Sequence, residues 1–271
     1  MVFIICMIIG IGTAFLGSLV GLGGGVILIP SLLMLHQYLP GFSWATPQAI
    51  VGISLITMIF TSLSSTITYY KKGRVDYKTG LLFLTGSIPG GVIGSWLNQF
   101  IATEQFLLYF GILVILISVL FFLKRKPQKA DEFKKKNSRQ FQIGETTYEY
   151  SVSVPLACSL SLLVGVLSGL FGIGGGSIMV PAMILLFGFP VHIATATSMF
   201  MIFFVSIIGA TTHIVLGHIV WEYVAFFIPG AWIGGKLGAM VSQVLKGNTL
   251  EWILRFTLIL IGLRMIMNGL A

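Results

Sequence analysis

The chain has 271 residues, of which 56% are hydrophobic and only 9% charged. A soluble domain carries roughly a quarter charged residues, so water on all sides is excluded and a bilayer is the expected solvent. The net charge of +8 does not point to nucleic acid, because twelve of the sixteen Lys and Arg lie in two short stretches: Lys71, Lys72, Arg74 and Lys78, then Lys124, Arg125, Lys126, Lys129, Lys134, Lys135, Lys136 and Arg139. Basic loops between apolar spans are the positive-inside pattern, and no aromatic-interleaved basic surface accompanies them.

In chain order, apolar stretches are predicted at 2–20, 23–36, 47–70, 79–98 and 105–123. A basic stretch at 124–151 follows, too polar for hydrocarbon, and is read as a cytoplasmic linker. The second set runs 153–170, 174–189, 193–216, 220–245 and 251–270. The chain thus divides into a first transmembrane unit (1–123), the linker (124–151) and a second transmembrane unit (152–271). Cys6 and Cys158 both fall in apolar stretches and read as buried small hydrophobes, matching neither a disulfide framework nor a zinc spacing.

The two units repeat. Gly21-Leu22-Gly23-Gly24-Gly25-Val26-Ile27-Leu28-Ile29-Pro30 matches Gly172-Ile173-Gly174-Gly175-Gly176-Ser177-Ile178-Met179-Val180-Pro181. Gly52-Ile53-Ser54-Leu55 pairs with Ala196-Thr197-Ser198-Met199, Gly73-Arg74-Val75 with Gly217-His218-Ile219, and Ile88-Pro89-Gly90 and Gly94 with Ile228-Pro229-Gly230 and Gly234. The expected fold is an all-α polytopic membrane protein made of two homologous helical repeats with glycine-broken helices. An inverted arrangement is favoured, because loops 37–46, 99–105 and 217–222 carry no Lys or Arg while the loop at Lys246 does. Inversion requires an odd number of crossings per unit, so 1–36 must pass twice. Residues 23–36 reach only about 21 Å at 1.5 Å per residue, short of a full crossing.

Three glycines inside an apolar stretch cost a helix about 1 kcal/mol each relative to Ala. They also free backbone groups that hydrocarbon cannot satisfy. A helix restarting after them offers unpaired N–H groups and a positive dipole end, which suits an anion. Tight helix packing by small residues is the bland alternative. Candidate binding groups are Gly23, Gly24, Gly25, Gly174, Gly175, Gly176 and Ser177. Ser54, Thr197 and Ser198 join them from repeat-equivalent positions. Ser54, Thr57, Thr61, Ser65 and Thr68 form a hydroxyl stripe at helical spacing, most of which is expected to bond its own helix. Lys236, ten residues before Lys246, is a candidate counter-charge or a snorkelling side chain. His213 could contact substrate or carry a proton, or simply cap and pack. Arg255 and Arg264 read as anchors; His36, His192 and His218 read as interface residues. No HExxH, GxSxG, intramembrane acid pair or Cys–His arrangement occurs, so neither an enzyme nor a cofactor or metal is expected.

On the paired glycine segments, Ala196-Thr197-Ser198 followed by His213 and Gly217, and Pro229-Gly230 leading to Gly234, the sequence resembles the TauE/SafE family of sulfite and organosulfonate exporters over nearly its full length. Tyr69 stands where the second unit has His213. The resemblance implies movement of small sulfur-containing anions such as sulfite or sulfonates across the prokaryotic cytoplasmic membrane. The combined expectation is a secondary transporter of a small anion, with the bilayer and a coupling ion (H+ or Na+) as its other partners. An anion channel and a non-transporting accessory subunit are the alternatives. Substrate, direction, coupling and oligomeric state are left open.

Overall fold

A computed structural model describes residues 2–122, 138–143 and 146–245, together with positions 249, 252, 256 and 259. Its elements are α1 (Val2–Val20), α2 (Gly25–Tyr38), α3 (Pro47–Tyr70), α4 (Tyr77–Leu97), α5 (Thr103–Phe122), β1 (Ser138–Ile143), β2 (Thr146–Ser151), α6 (Val154–Phe171), α7 (Gly176–Ala182, continued by a π-helical turn at Met183–Phe187), α8 (Val191–Val215) and α9 (Trp221–Val244). Among the described residues six helices are long and apolar enough to cross a membrane: Val2–Val20, Pro47–Tyr70, Tyr77–Phe100, Val154–Phe171, Val191–Val215 and Trp221–Val244. The multi-pass, helical character read from composition is therefore borne out. The predicted span 251–270, with Arg255 and Arg264, lies almost wholly outside the described residues, as do Lys246 and the linker lysines.

The two central helices are α3 and α8, each 72% buried, against 39% for α1 and for α6. Their antiparallel contact is visible in two pairings: Gly52 sits against the His213 side chain, and Gly209 against Leu55. Two parallel pairs flank them. Gly230, Gly234 and Gly238 of α9 face the carbonyls of Met7, Ile11 and Phe15 of α1, and a Cβ on any of the three would stand 2.2–2.6 Å from that oxygen. In the same way Gly86, Gly90 and Gly94 of α4 face Cys158, Leu162 and Val166 of α6, at 2.0–2.4 Å. Small residues at every fourth position let these backbones touch, which is how helices associate where lipid supplies no hydrophobic drive. Each flanking pair joins a helix that precedes the hairpin to one that follows it.

This packing corrects one alignment. The sequence pairs Pro89-Gly90 with Pro229-Gly230, but the contacts match Gly86, Gly90 and Gly94 to Gly230, Gly234 and Gly238, one helical turn along. The helix starts at Tyr77 and Trp221 keep the same spacing as Ser54 and Ser198. A shared Pro-Gly dipeptide is a weaker guide than the stripe that makes the interface.

Residues 1–36 do go out and return, but unequally. α1 is a full-length span, and α2, with 14 residues, covers only about 21 Å of the way back. A second short apolar helix, Gly176–Phe187, follows α6 in the same way.

The stretch read as a basic cytoplasmic linker holds an antiparallel hairpin, Ser138 pairing with Ser151 and Ile143 with Thr146. Its anchor is Tyr150, whose hydroxyl donates to the Asp76 carboxylate and whose ring lies 3.9 Å from that of Phe189, just before α8. Asp76 caps α4 by accepting from the Thr79 N–H at 3.1 Å and also from the Thr79 hydroxyl, to which Arg139 of β1 donates at 2.7 Å. Burial, reinforced by the Asp76 carboxylate, pushes the Tyr150 phenol well above its ordinary pKa. Arg74 reaches the Gln243 carbonyl at 3.4 Å, so loop 71–76, the hairpin and the end of α9 share one end of the molecule. The opposite end is apolar and aromatic, with Trp44 stacked on Tyr223 at 4.1 Å and Phe3 on Phe226 at 4.2 Å.

Candidate functional site

Both glycine turns reach the middle of the two central helices. Gly23 and Gly174 each lie against Met58 and Ile202, which fall halfway along α3 and α8. Gly21, Gly23 and Gly24 have φ of +83°, +81° and +96°, and Gly172, Gly174 and Gly175 have +67°, +73° and +68°. An L side chain is strained there, so the sequence can break both helices in this way only with glycine.

The turns are held by a crossed pair of hydrogen bonds. Ser54 of the first half donates to the Gly172 carbonyl at 2.8 Å, and Ser198 of the second half donates to the Gly21 carbonyl at 2.9 Å. Ser198 also reaches the Thr195 carbonyl at 2.8 Å. The backbones meet equally closely: a Cβ on Gly25 would lie 2.3 Å from the Gly172 oxygen, and one on Gly176 2.2 Å from the Gly21 oxygen. The hydroxyls of Ser54 and Ser198, expected to face a ligand, thus serve as clasps on the opposite turn. Each fixes a carbonyl that would otherwise be an unpaired buried acceptor.

The helices that restart at Gly25 and Gly176 carry no side-chain cap. Their first N–H groups have no intrahelical acceptor. Beside Gly174–Gly176 lies a cavity of about 10 Å³ walled by Val164, Ser168, Met179, Ser198 and Val205, room for about one water. The Ser168 and Ser177 hydroxyls are buried and unpartnered among the described residues. Such groups are costly unless satisfied, and they can all donate to an anion. On the first side Gly17 replaces Ser168, and a Cβ there would sit 2.1 Å from the Gly24 nitrogen. That turn is packed solid. Ser168 is a residue the sequence reading missed; its signal was a serine aligned with Gly17, three residues before the break in place of a packing glycine.

The remaining candidates separate. Thr197 is buried beside Ser198 but accepts the Asp76 N–H at 3.0 Å, tying α8 to the start of α4. His213 is fully buried, with its Cβ and ring carbon against Gly52, two residues from the Ser54 clasp. Its Nδ1 is 3.0 Å from His218 Nδ1. Lys236 is not brought to the site. It is exposed on the outer face of α9 with Trp232, Ile233, Leu237 and Met240, as a snorkelling lysine would be. The hydroxyl stripe bonds its own helix, Thr57 to Ile53, Thr61 to Thr57, Ser65 to Thr61 and Thr68 to Ser64. Asp76, Tyr150 and Arg139 also went unnoticed as a unit, since they come from three separate stretches.

A family model for the sulfite exporter TauE/SafE matches residues 6–265. The probable membrane transporter protein YunE of Bacillus subtilis is 46% identical over 273 residues, covering 100% of this chain and 99% of that one. Probable membrane transporter proteins of Xylella fastidiosa (26% over 245 residues, 89% and 87% covered) and Methanocaldococcus jannaschii (MJ0441; 26% over 277 residues, 96% and 94% covered) are more distant. No solved structure matches the chain. With its apolar spans and this match, the chain belongs to the TauE/SafE family: it is a multi-pass membrane transporter of the cell membrane and not an enzyme.

Proposed function

We propose that the protein is a secondary transporter of a small sulfur-containing anion, sulfite or a sulfonate, built from two inverted repeats that rock about the glycine turns. The observation that carries this reading is the crossed clasp, Ser54 to Gly172 and Ser198 to Gly21. It brings two uncapped helix starts to the middle of α3 and α8, where transporters with broken helices place their substrate. Inversion is supported by direction: α1 runs parallel to α9, α4 to α6, and α3 antiparallel to α8, so corresponding helices of the two halves point oppositely. The end bearing Lys71, Lys72, Arg74, Lys78 and Arg139 faces the cytoplasm on the positive-inside rule, and the Trp44–Tyr223 end faces out.

Gly174–Gly176, Ser177 and Ser168 form the anion-binding half of the site, with Gly23–Gly25 opposite as the packed counterpart. On this reading the small cavity corresponds to an occluded state. An ion larger than water enters when the clasps open and the halves tilt, which favours a carrier over an open channel. Sulfite and sulfonates suit neutral N–H and O–H donors in a site without acids, and the family description points the same way.

The test is thermal stabilisation of detergent-purified protein by sulfite, thiosulfate, sulfate, taurine, sulfoacetate and small carboxylates. A saturable shift with a sulfur oxyanion or sulfonate, lost in Gly175→Val but kept in Lys236→Met, is expected. A shift unaffected by Gly175→Val would overturn the glycine-turn site, and shifts by carboxylates alone would overturn the substrate class.

A further inference from the structure

The residue that corresponds to His213 in the first half is Tyr69, and the two occupy equivalent places with different chemistry. Tyr69 donates to the Ser18 carbonyl at 2.8 Å, near the end of α1. His213 turns its ring towards the backbone of Gly169, the residue of α6 that corresponds to Ser18. Tyr69 therefore ties the end of a central helix to the last turn of a helix that leads into a glycine break, whereas His213 Nε2 is buried at the equivalent turn with no hydrogen-bond partner among the described residues. A phenol there stays neutral across physiological pH; an imidazole need not.

His213 has a further partner that Tyr69 lacks. Its Nδ1 lies 3.0 Å from Nδ1 of His218, in the turn at the outward end, and two ring nitrogens at that distance share one proton. His213 is fully buried while His218 is half-buried, so the pair links outer water to the interior. The groups packed around His213 are Gly52 of α3, Gly169 of α6, and His218 with Ile219 in the turn. His218 is the titratable one among them. Glu222, in the first turn of α9, is exposed, and loops 39–46, 98–102 and 216–220 contain no Lys or Arg. Burial lowers the pKa of His218, so it is neutral at neutral pH and takes a proton as the outer medium acidifies.

We propose that His218 and His213 form a proton relay from the outer face to the second glycine break, which makes H+ the coupling ion of the transport proposed above, on which this inference rests. His218 Nε2 gains a proton from outer water. The N–H bond at His218 Nδ1 breaks as one forms at His213 Nδ1, leaving His218 neutral with its proton on Nε2 and His213 as the cation. The new charge lies at the C-terminal end of α6, where the helix dipole favours a cation, and two residues along α3 from the serine that clasps Gly172. Protonation thereby acts on the clasp of one turn and leaves the other, held by Tyr69, indifferent.

The test uses the full-length protein in liposomes loaded with thiosulfate, an anion that does not itself take up a proton near neutral pH, with a pH dye inside. Wild type is expected to admit protons as thiosulfate leaves, with efflux rising up to about tenfold per unit of outer acidification, as a single titration allows. His218→Gln should flatten that pH profile, and His213→Tyr should remove proton entry. Proton entry in His213→Tyr equal to wild type, or wild-type efflux indifferent to outer pH, overturns the relay. If no thiosulfate moves, the relay is decided by nitrogen NMR of histidine-labelled protein. Coupled titration of two imidazoles, abolished by His218→Gln, supports it, and four independent titrations overturn it. The transport reading is tested separately by the anion panel.

Discussion

The two glycine turns share a backbone and differ in what surrounds them. In the first half Gly17 lies directly on Gly24 and Tyr69 closes the end of α1 with a neutral hydroxyl. In the second, Ser168 stands off Gly175 across a small cavity, and a histidine pair takes the place of the phenol. On the proposed reading one turn serves as a bearing and the other as the anion site. A doubled scaffold can keep its symmetry in the backbone while assigning the polar chemistry to one copy.

The largest effect should come from the contacts the turns share. Gly25→Ala and Gly176→Ala each push a Cβ to within 2.3 Å of the opposite carbonyl, and each is expected to cost about 3 kcal/mol or more, read as loss of the monodisperse protein. Equal damage from both would show that the backbone interface is symmetric, and tolerance of either would break the comparison there. Ser54→Ala and Ser198→Ala each orphan a buried carbonyl, for about 1–3 kcal/mol in thermal unfolding. Because both clasp one interface, the double variant should depart from additivity by about 0.5 kcal/mol or more; strict additivity would mean two independent bonds.

Exchanging the residues that distinguish the turns sharpens the contrast. Gly17→Ser should destabilise through its clash with Gly24. Ser168→Gly should cost only about 1 kcal/mol of helix stability yet remove the anion-induced shift. Tyr150→Phe should cost about 2 kcal/mol, the value of a hydrogen bond to a charged group. Because the Tyr150 pKa is raised in the folded state, its contribution is complete below the ordinary tyrosine pKa of about 10 and fades as pH rises through the higher native value. The wild-type minus Phe difference should thus hold constant from neutrality to about pH 10. Smallest of all, Lys236→Met should change stability by less than about 0.5 kcal/mol and leave the anion shift intact; a lost shift would return Lys236 to the site.

Much of this was legible because apolar length and glycine position are local signals. Helices end at Gly21 and Gly172 for reasons carried in those residues alone. Ser54 and Ser198 were found by repeat matching, but their role was not, since a clasp depends on which carbonyl lies opposite, and that is a tertiary fact. Lys236 was left open between counter-charge and snorkelling side chain for want of a face: Gly230, Gly234 and Gly238 mark the packed side of α9, and Lys236 is off it. The hairpin did leave a trace, Arg139-Gln140-Phe141-Gln142-Ile143 alternating polar and apolar, hidden behind the charge run that precedes it.

The parallel seating of α1 on α9 also has a consequence for biosynthesis. Met7 meets Gly230 and Phe15 meets Gly238, so α1 leaves the ribosome 223 residues ahead of the helix it packs on. At 5–20 residues per second the interval is roughly 10–45 s, during which α1 must remain in lipid without its partner. Its mean hydropathy of 2.4, the highest of the six spans, equips it for that wait.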